Sequence, residues 1–306
     1  MRILVTGAGG FVGRELARDL ATRHQVVALD RACVARPGVE IVEGDLTDPA
    51  IVAQAVEGGC DALVHLATVP GGASEQDPAL AWRVNVEASA TLFDAVRRAG
   101  RQPRIVYASS IAALGDPLPD PVTDDTPLRP RMLYGAHKAM IEQWLGALSR
   151  RGEVDGLSLR LSGIVARPRG SSGLKSAFMS DIFHAALAGE RFTVPVSPGA
   201  TMWMMSVRQI ALNLSHAVET RTVTGDTYVA TLPAVRATMV ELAAEIARQV
   251  GSDPGMVSYA PDAGLEAMFG RYPALEVHRA KTLGFADDGS LAALVESALT
   301  TIRQGD

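Results

Sequence analysis

The sequence predicts an α/β protein: a doubly wound parallel sheet with a second, smaller C-terminal lobe. Three observations carry this. Short apolar runs recur through the first half with little polar interruption, as strands covered on both faces require. Helical patterns separate them, and β–α alternation winds a parallel sheet. A glycine-rich turn, Thr6-Gly7-Ala-Gly-Gly10-Phe-Val-Gly13, joins the first run to the first helical segment.

In chain order the runs are Ile3–Val5, Val26–Leu29, Ile41–Val42, Ala62–Leu66, Ile105–Tyr107 and Leu157–Leu161. Helical patterns lie between them at Gly10–Arg23, Ala50–Val56, Leu80–Arg98 and Tyr134–Arg150. After about residue 165 the alternation weakens. Helices are expected at Ala177–Ala188, Val207–Val218, Met239–Val250 and Leu291–Arg303, with a strand at Thr227–Ala230. The first domain is therefore expected at 1–165, with a return near 207–230. The smaller lobe takes 166–206 and 231–306.

A chain of 306 residues has room for one large domain or two modest ones. With 47% hydrophobic and 21% charged residues it is not a largely disordered chain. Its 29 Lys+Arg against 34 Asp+Glu give a net charge of -5, which argues against a nucleic-acid partner. Cys33 and Cys60 have no second pair, so neither a disulfide framework nor a metal site is expected. Met1 leads straight into a strand-like run too short for a signal peptide. The least charged stretch, Phe192 to Val207, is broken by Pro195, Pro198 and Gly199, so no membrane span is expected there. A cytoplasmic location is the expectation.

The glycine turn has a phosphate-binding logic. Gly7 permits the tight turn, Gly10 lets backbone approach a pyrophosphate, and Gly13 allows close helix–strand packing. The helix N-terminus adds N–H donors and the positive end of its dipole. The second run ends in Asp30, about 20 residues beyond the glycines, where an acid accepts from the adenosine ribose. Its charge repels a 2′-phosphate, so NAD is expected in preference to NADP. Arg31 follows directly and softens that preference.

A second constellation lies at Tyr134-Gly-Ala-His-Lys138. A spacing of four puts tyrosine and lysine on one helix face, one turn apart. An unperturbed tyrosine, with a pKa of about 10, is a poor base, but a neighbouring ammonium favours its phenolate. Ser109-Ser110 ends the Ile105 run, at a strand C-terminus where open α/β sheets bind ligands. A hydroxyl there can hold a substrate oxygen beside the tyrosine.

With these elements together the chain resembles the extended short-chain dehydrogenase/reductase family, whose first domain is a Rossmann fold. The matching stretches are residues 6–13, Asp30, Gly44-Asp45-Leu46, His65-Leu-Ala67, Asn85, Tyr107-Ala-Ser-Ser110, Tyr134, Lys138 and Arg160-Leu-Ser-Gly163. The resemblance implies an NAD cofactor and a set of roles. Gly7, Gly10, Phe11 and Val12 face the pyrophosphate. Asp45 and Leu46 flank adenine, and Leu66, Ala67 and Thr68 line the cofactor cleft, with Asn85 alongside. Ser110 orients substrate, Tyr134 is the acid/base, and Lys138 binds the nicotinamide ribose. Gly163 sits near the nicotinamide. The helices at Leu80–Arg98 and Tyr134–Arg150 resemble the pair that forms a homodimer interface in relatives.

Within that family, the large branch acting on nucleotide sugars usually carries an asparagine where this chain has Gly163. The rest looks like the sugar-acid dehydrogenases, which implies oxidation of a secondary hydroxyl of a small, D-erythronate-like hydroxy acid. A nucleotide-sugar epimerase or reductase, and a catalytically silent NAD-binding protein, are the alternatives. A carboxylate substrate needs a cation, and Arg169 and Lys175 lie on the loop after the sixth run. Pro70-Gly-Gly72 and Gly170–Gly173 are expected to face substrate. The cluster Met202-Trp-Met-Met205 reads as core, and His65 and His137 as structural.

Overall fold

The computed structural model describes residues 1–170, 176–220 and 228–305. They form two compact units. The first is built from Met1–Asp116, Pro127–Leu161 and Ala211–Thr231; the second takes Pro117–Thr126, Ser162–Ile210 and the chain from Leu232 onward.

In the first unit, strands β1 (Arg2–Thr6), β2 (Gln25–Asp30), β3 (Val39–Glu43), β4 (Ala62–His65) and β5 (Arg104–Ser110) are joined by Asp155–Leu161 and Val229–Thr231. All seven pair in parallel. The spatial order is Val229–Thr231, Asp155–Leu161, β5, β4, β1, β2, β3. Every residue of β4 is buried, as are the first six of β5, which is why these runs lack polar alternation. The chain order reverses between β1 and β4, the switch point at which such sheets bind ligands.

The connecting helices are α1 (Phe11–Leu20), α2 (Pro49–Ala55), α3 (Gly71–Gln76), α4 (Pro78–Trp82), α5 (Ser89–Ala99) and α6 (Leu133–Arg150). Leu16 and Leu20 of α1, and Leu92, Phe93 and Val96 of α5, are fully buried. Truncating one such leucine to alanine costs about 2–5 kcal/mol. Two features of this stretch are not expected from the sequence: a division of one helix and a short additional one. The helix at Leu80–Arg98 is divided: α4 ends at Trp82, a π-helical stretch runs from Arg83 to Ala88, and α5 follows. Pro70-Gly-Gly72 opens the short helix α3, with Pro70 as its N-cap.

The second unit has a three-stranded sheet in the order Val235–Thr238, Thr201–Ser206, Gly163–Val165. Its core also draws on the helices Phe178–Ala188, Met239–Val250 and Leu291–Arg303. Thr238 and Glu241 form a reciprocal capping box at the start of the second of these. Met202, Trp203, Met204 and Met205 are at most 1% exposed, so the cluster is core as its sequence suggests. Trp203 satisfies its indole N–H on the Pro273 carbonyl at 2.9 Å. Among the described residues, no helix is long and apolar enough to cross a membrane.

Candidate functional site

The glycine turn is tightly packed at Gly7 and more open at Gly10. Gly7 has φ +70°, and a Cβ there would lie 2.7 Å from the Ala67 backbone nitrogen, so this turn demands glycine. At Gly10 a Cβ would meet only the Gly7 carbonyl, at 3.2 Å, so packing within the chain explains its bareness less well. Gly10 is the N-cap of α1, and no side chain caps that end. An uncapped ten-residue helix with bare backbone at its start suits a pyrophosphate. Phe11 and Val12 are the helix's first two residues and are half-buried.

Asp30 ends β2 beside this turn. Its Oδ2 accepts from the Gly9 N–H at 2.9 Å and its Oδ1 from the Arg31 N–H at 2.7 Å. Each carboxylate oxygen keeps a lone pair for a further donor, such as a ribose hydroxyl. Gly9 was not singled out from the sequence; its tie to Asp30 joins the phosphate turn to the ribose acid. Asp45 accepts from the Thr47 N–H at 2.8 Å and hydroxyl at 2.7 Å. Those bonds hold its carboxyl below the ordinary range. Leu46 beside it is buried.

After β4 the chain passes through the half-buried Leu66, Ala67 and Thr68. Asn85, in the π-helical stretch, grips this segment. Its Oδ1 accepts from the Val69 N–H at 2.7 Å and the Thr68 hydroxyl at 3.0 Å, while its Nδ2 donates to the Val69 carbonyl at 3.0 Å. A buried asparagine satisfied in this way fixes the loop rather than reaching past it. His65 is buried and spent as well: Nδ1 lies 2.6 Å from the Thr6 hydroxyl and Nε2 2.9 Å from the Ser89 hydroxyl. Burial, with Lys138 adding to it, drives His65 down to about 3, so it stays neutral as expected of a structural histidine.

Tyr134 and Lys138 sit on α6 at the C-terminal end of β5. The Lys138 ammonium donates to the Ala108 carbonyl at 2.7 Å. It lies 4.6 Å from the Tyr107 ring centre and 5.4 Å from that of Tyr134. Burial presses Lys138 down to about 7, against the pull of Glu142 in the other direction. Ser110 ends β5 and is half-buried; its hydroxyl accepts from the Ala112 N–H at 3.1 Å, capping the short turn Ile111–Ala113. Gly135 lets α6 come down onto that turn, for a Cβ at 135 would lie 2.2 Å from the Ala112 carbonyl oxygen. The glycine after Tyr134 thus brings the tyrosine helix against the turn that follows Ser110. Its signal was the Tyr-Gly pair itself.

Other predicted contacts belong to the second unit. Gly163 opens the strand Gly163–Val165 of the second unit, as register partner of Met204. Arg169, also in the second unit, is ion-paired with Glu190 at 2.6 Å. Both partners are about half exposed, and such a pair is worth at most about 1 kcal/mol. Lys175 lies outside the described residues, as do 171–173 of the loop expected to face substrate and the first residue of the strand predicted at Thr227–Ala230.

The model of the NAD dependent epimerase/dehydratase family matches residues 3–228. The chain belongs to that family. Its cofactor is NAD, and it is an NAD-dependent oxidoreductase. A D-erythronate dehydrogenase from Cupriavidus necator is 37% identical over 97% of both chains. A second D-erythronate dehydrogenase, from Haemophilus influenzae, is 31% identical over 72% of each. Among solved structures, a nucleoside-diphosphate-sugar epimerase from Agrobacterium tumefaciens superposes with a TM-score of 0.90 at 29% identity, covering 100% of this chain and 95% of its own.

Proposed function

We propose that this protein is a sugar-acid dehydrogenase that oxidises a secondary hydroxyl of D-erythronate or a closely similar hydroxy acid. The observation that carries the reading is the Tyr134–Lys138 pair, with the tyrosine half-buried and the lysine buried against the end of β5, in a chain that matches a D-erythronate dehydrogenase over 97% of its length. When bound, NAD supplies the carbon that accepts hydride. The chain's own residues do the rest. Gly7, Gly10, Phe11 and Val12 hold the pyrophosphate; Asp30, with Arg31 beside it, takes the adenosine ribose; Asp45 and Leu46 flank the base. Leu66, Ala67 and Thr68, fixed by Asn85, form the cleft wall, and Gly163 lies by the nicotinamide.

At the reacting end, Ser110 Oγ orients the substrate hydroxyl and the Tyr134 phenolate oxygen takes its proton. The Lys138 ammonium is the charge that favours that phenolate, and it also binds the nicotinamide ribose. Arg169 and Lys175 supply the cations for the carboxylate. Trp82, Leu133, Met140 and Trp144, apolar yet 39–49% exposed, support a homodimer through the α4–α6 face. Two free thiols support a cytoplasmic location.

The test is direct. Incubation with NAD and D-erythronate should accumulate NADH. UDP-sugars under the same conditions should give neither NADH nor an isomerised sugar. Isomerised nucleotide sugar without NADH would establish the epimerase alternative instead.

A further inference from the structure

Beneath the proposed catalytic pair lies a charged cluster that the reading above leaves without a task. Glu142 follows Lys138 by four residues on α6, and its side chain is fully buried. Its Oε1 accepts from Arg160 Nε at 2.9 Å and from the Ser109 hydroxyl at 2.5 Å; its Oε2 accepts from Arg160 Nη2 at 2.7 Å. Ser109 and Arg160 are register partners on adjacent strands. Two consecutive residues of β5 are therefore gripped from one helix face. Lys138 takes the Ala108 carbonyl and Glu142 takes the Ser109 hydroxyl, immediately before Ser110.

A buried ion pair of this kind is weak support for stability, because desolvating both partners offsets most of their attraction. Its value is better sought in what it does to its neighbours. Lys138 is the nearest. The titratable groups around that ammonium are His65 from β4, Tyr107 from β5, Tyr134, His137 and Glu142 from α6, and Arg160 beyond Glu142. Glu142 is the one carboxylate among them.

We propose that Glu142 is a positioning residue of the site: anchored by Arg160 and Ser109, its carboxylate fixes the end of β5 and supplies the negative charge that keeps Lys138 an ammonium. The inference rests on Tyr134 and Lys138 acting as proposed above. With Lys138 protonated, removing that charge favours the phenolate, and with the phenolate formed it disfavours the ammonium, so both limbs of the pH–kcat profile must move the same way, to lower pH.

The experiment is the pH–kcat profile with NAD and D-erythronate for Glu142→Gln, Arg160→Gln and Glu142→Asp, each checked for folding by thermal melting and NADH binding. Glu142→Gln should shift both limbs down by about 0.5–1 pH unit. Arg160→Gln, which leaves the carboxylate unopposed, should shift them up. Glu142→Asp keeps the charge and should leave the limbs in place while lowering kcat. Each folded variant has its own required direction, so the test does not depend on any one of them. A folded Gln variant whose kcat falls with unmoved limbs would reduce the cluster to a packing role and overturn the proposal. Failure of the underlying reading has a separate sign, full turnover in Tyr134→Phe.

Discussion

Gly135→Ala sets two magnitudes against each other. Position 135 is in the first turn of an 18-residue helix, where alanine in place of glycine should favour the helix by up to about 1 kcal/mol. Packing opposes this. The new methyl would lie 2.2 Å from the Ala112 carbonyl oxygen, 2.9 Å from its carbon and 3.0 Å from Pro130 Cβ. A carbon–oxygen contact relaxes at about 3.3 Å, so α6 and the turn after Ser110 must part by roughly 1 Å. Overpacking of this sort costs about 1–3 kcal/mol, enough to cancel the gain in propensity. The greater effect falls on turnover, because a misplacement of about 1 Å between catalytic groups is worth about a hundredfold. The phosphate turn and Asp30 lie on other elements and are untouched. Expected, therefore, are a kcat about a hundredfold lower, an NAD dissociation constant within a factor of about two, and a melting temperature near the parent's. Steady-state kinetics, a cofactor titration and a thermal melt read all three. A variant that melts higher and keeps kcat within a factor of about three would refute the argument that Gly135 sets the distance between Ser110 and Tyr134.

Cofactor choice follows from Asp30: NAD should bind at least about tenfold tighter than NADP, and equal dissociation constants would point to Arg31 as the dominant contact. Tyr134→Phe keeps the ring and loses the proton acceptor, so turnover should fall by about a hundredfold to ten-thousandfold while NADH still binds in a fluorescence titration. His65 gives a pH dependence of stability. Its folded value of about 3 lies below the ordinary 6.5, so between these limits only the unfolded chain takes up the proton. Its contribution is whole above about 6.5 and is lost as pH falls toward 3. The melting temperature of the parent should accordingly drop more steeply from pH 6.5 to 4 than that of His65→Gln, and parallel slopes would contradict the buried neutral imidazole.

The sequence is most legible where one physical constraint acts alone. Fully covered strands leave uninterrupted apolar runs, so β1, β2, β4 and β5 stand out. The long helices Met239–Val250 and Leu291–Arg303 announce their ends through caps and periodicity. The π-helical stretch at Arg83–Ala88 is invisible because a one-residue change in hydrogen bonding does not disturb the apolar pattern. What accompanies it is tertiary, the bonds from Asn85 to the Val69 backbone. Helix α3 is hidden by its two opening glycines, since propensity speaks against a helix there; yet Glu75 on it caps α6 by accepting from the Leu133 N–H at 2.7 Å. Strands such as Val122–Thr123 and Leu275–Glu276 find each other across more than 150 residues and are too short to show a period. At the site, the glycine turn and the Tyr134–Lys138 spacing could be read because each is local. Glu142 could not, nor could the partners of Gly135 and Ser109, because each of these contacts reaches another element.

The order of the strands also bears on how the protein is made. The first unit is assembled from three separated stretches of chain, and Val229–Thr231 pairs with Asp155–Leu161. A ribosome releases the chain from its N-terminus, and domains tend to fold as they emerge. Here the sheet cannot be finished until residue 231 has left the exit tunnel. Through the synthesis of some 70 residues after Leu161, that strand offers an unpaired edge, the kind that recruits strands from other chains. Nascent chains stalled in this interval should therefore aggregate or engage chaperones. Chains stalled after residue 231 has cleared the tunnel have the means to close that edge themselves.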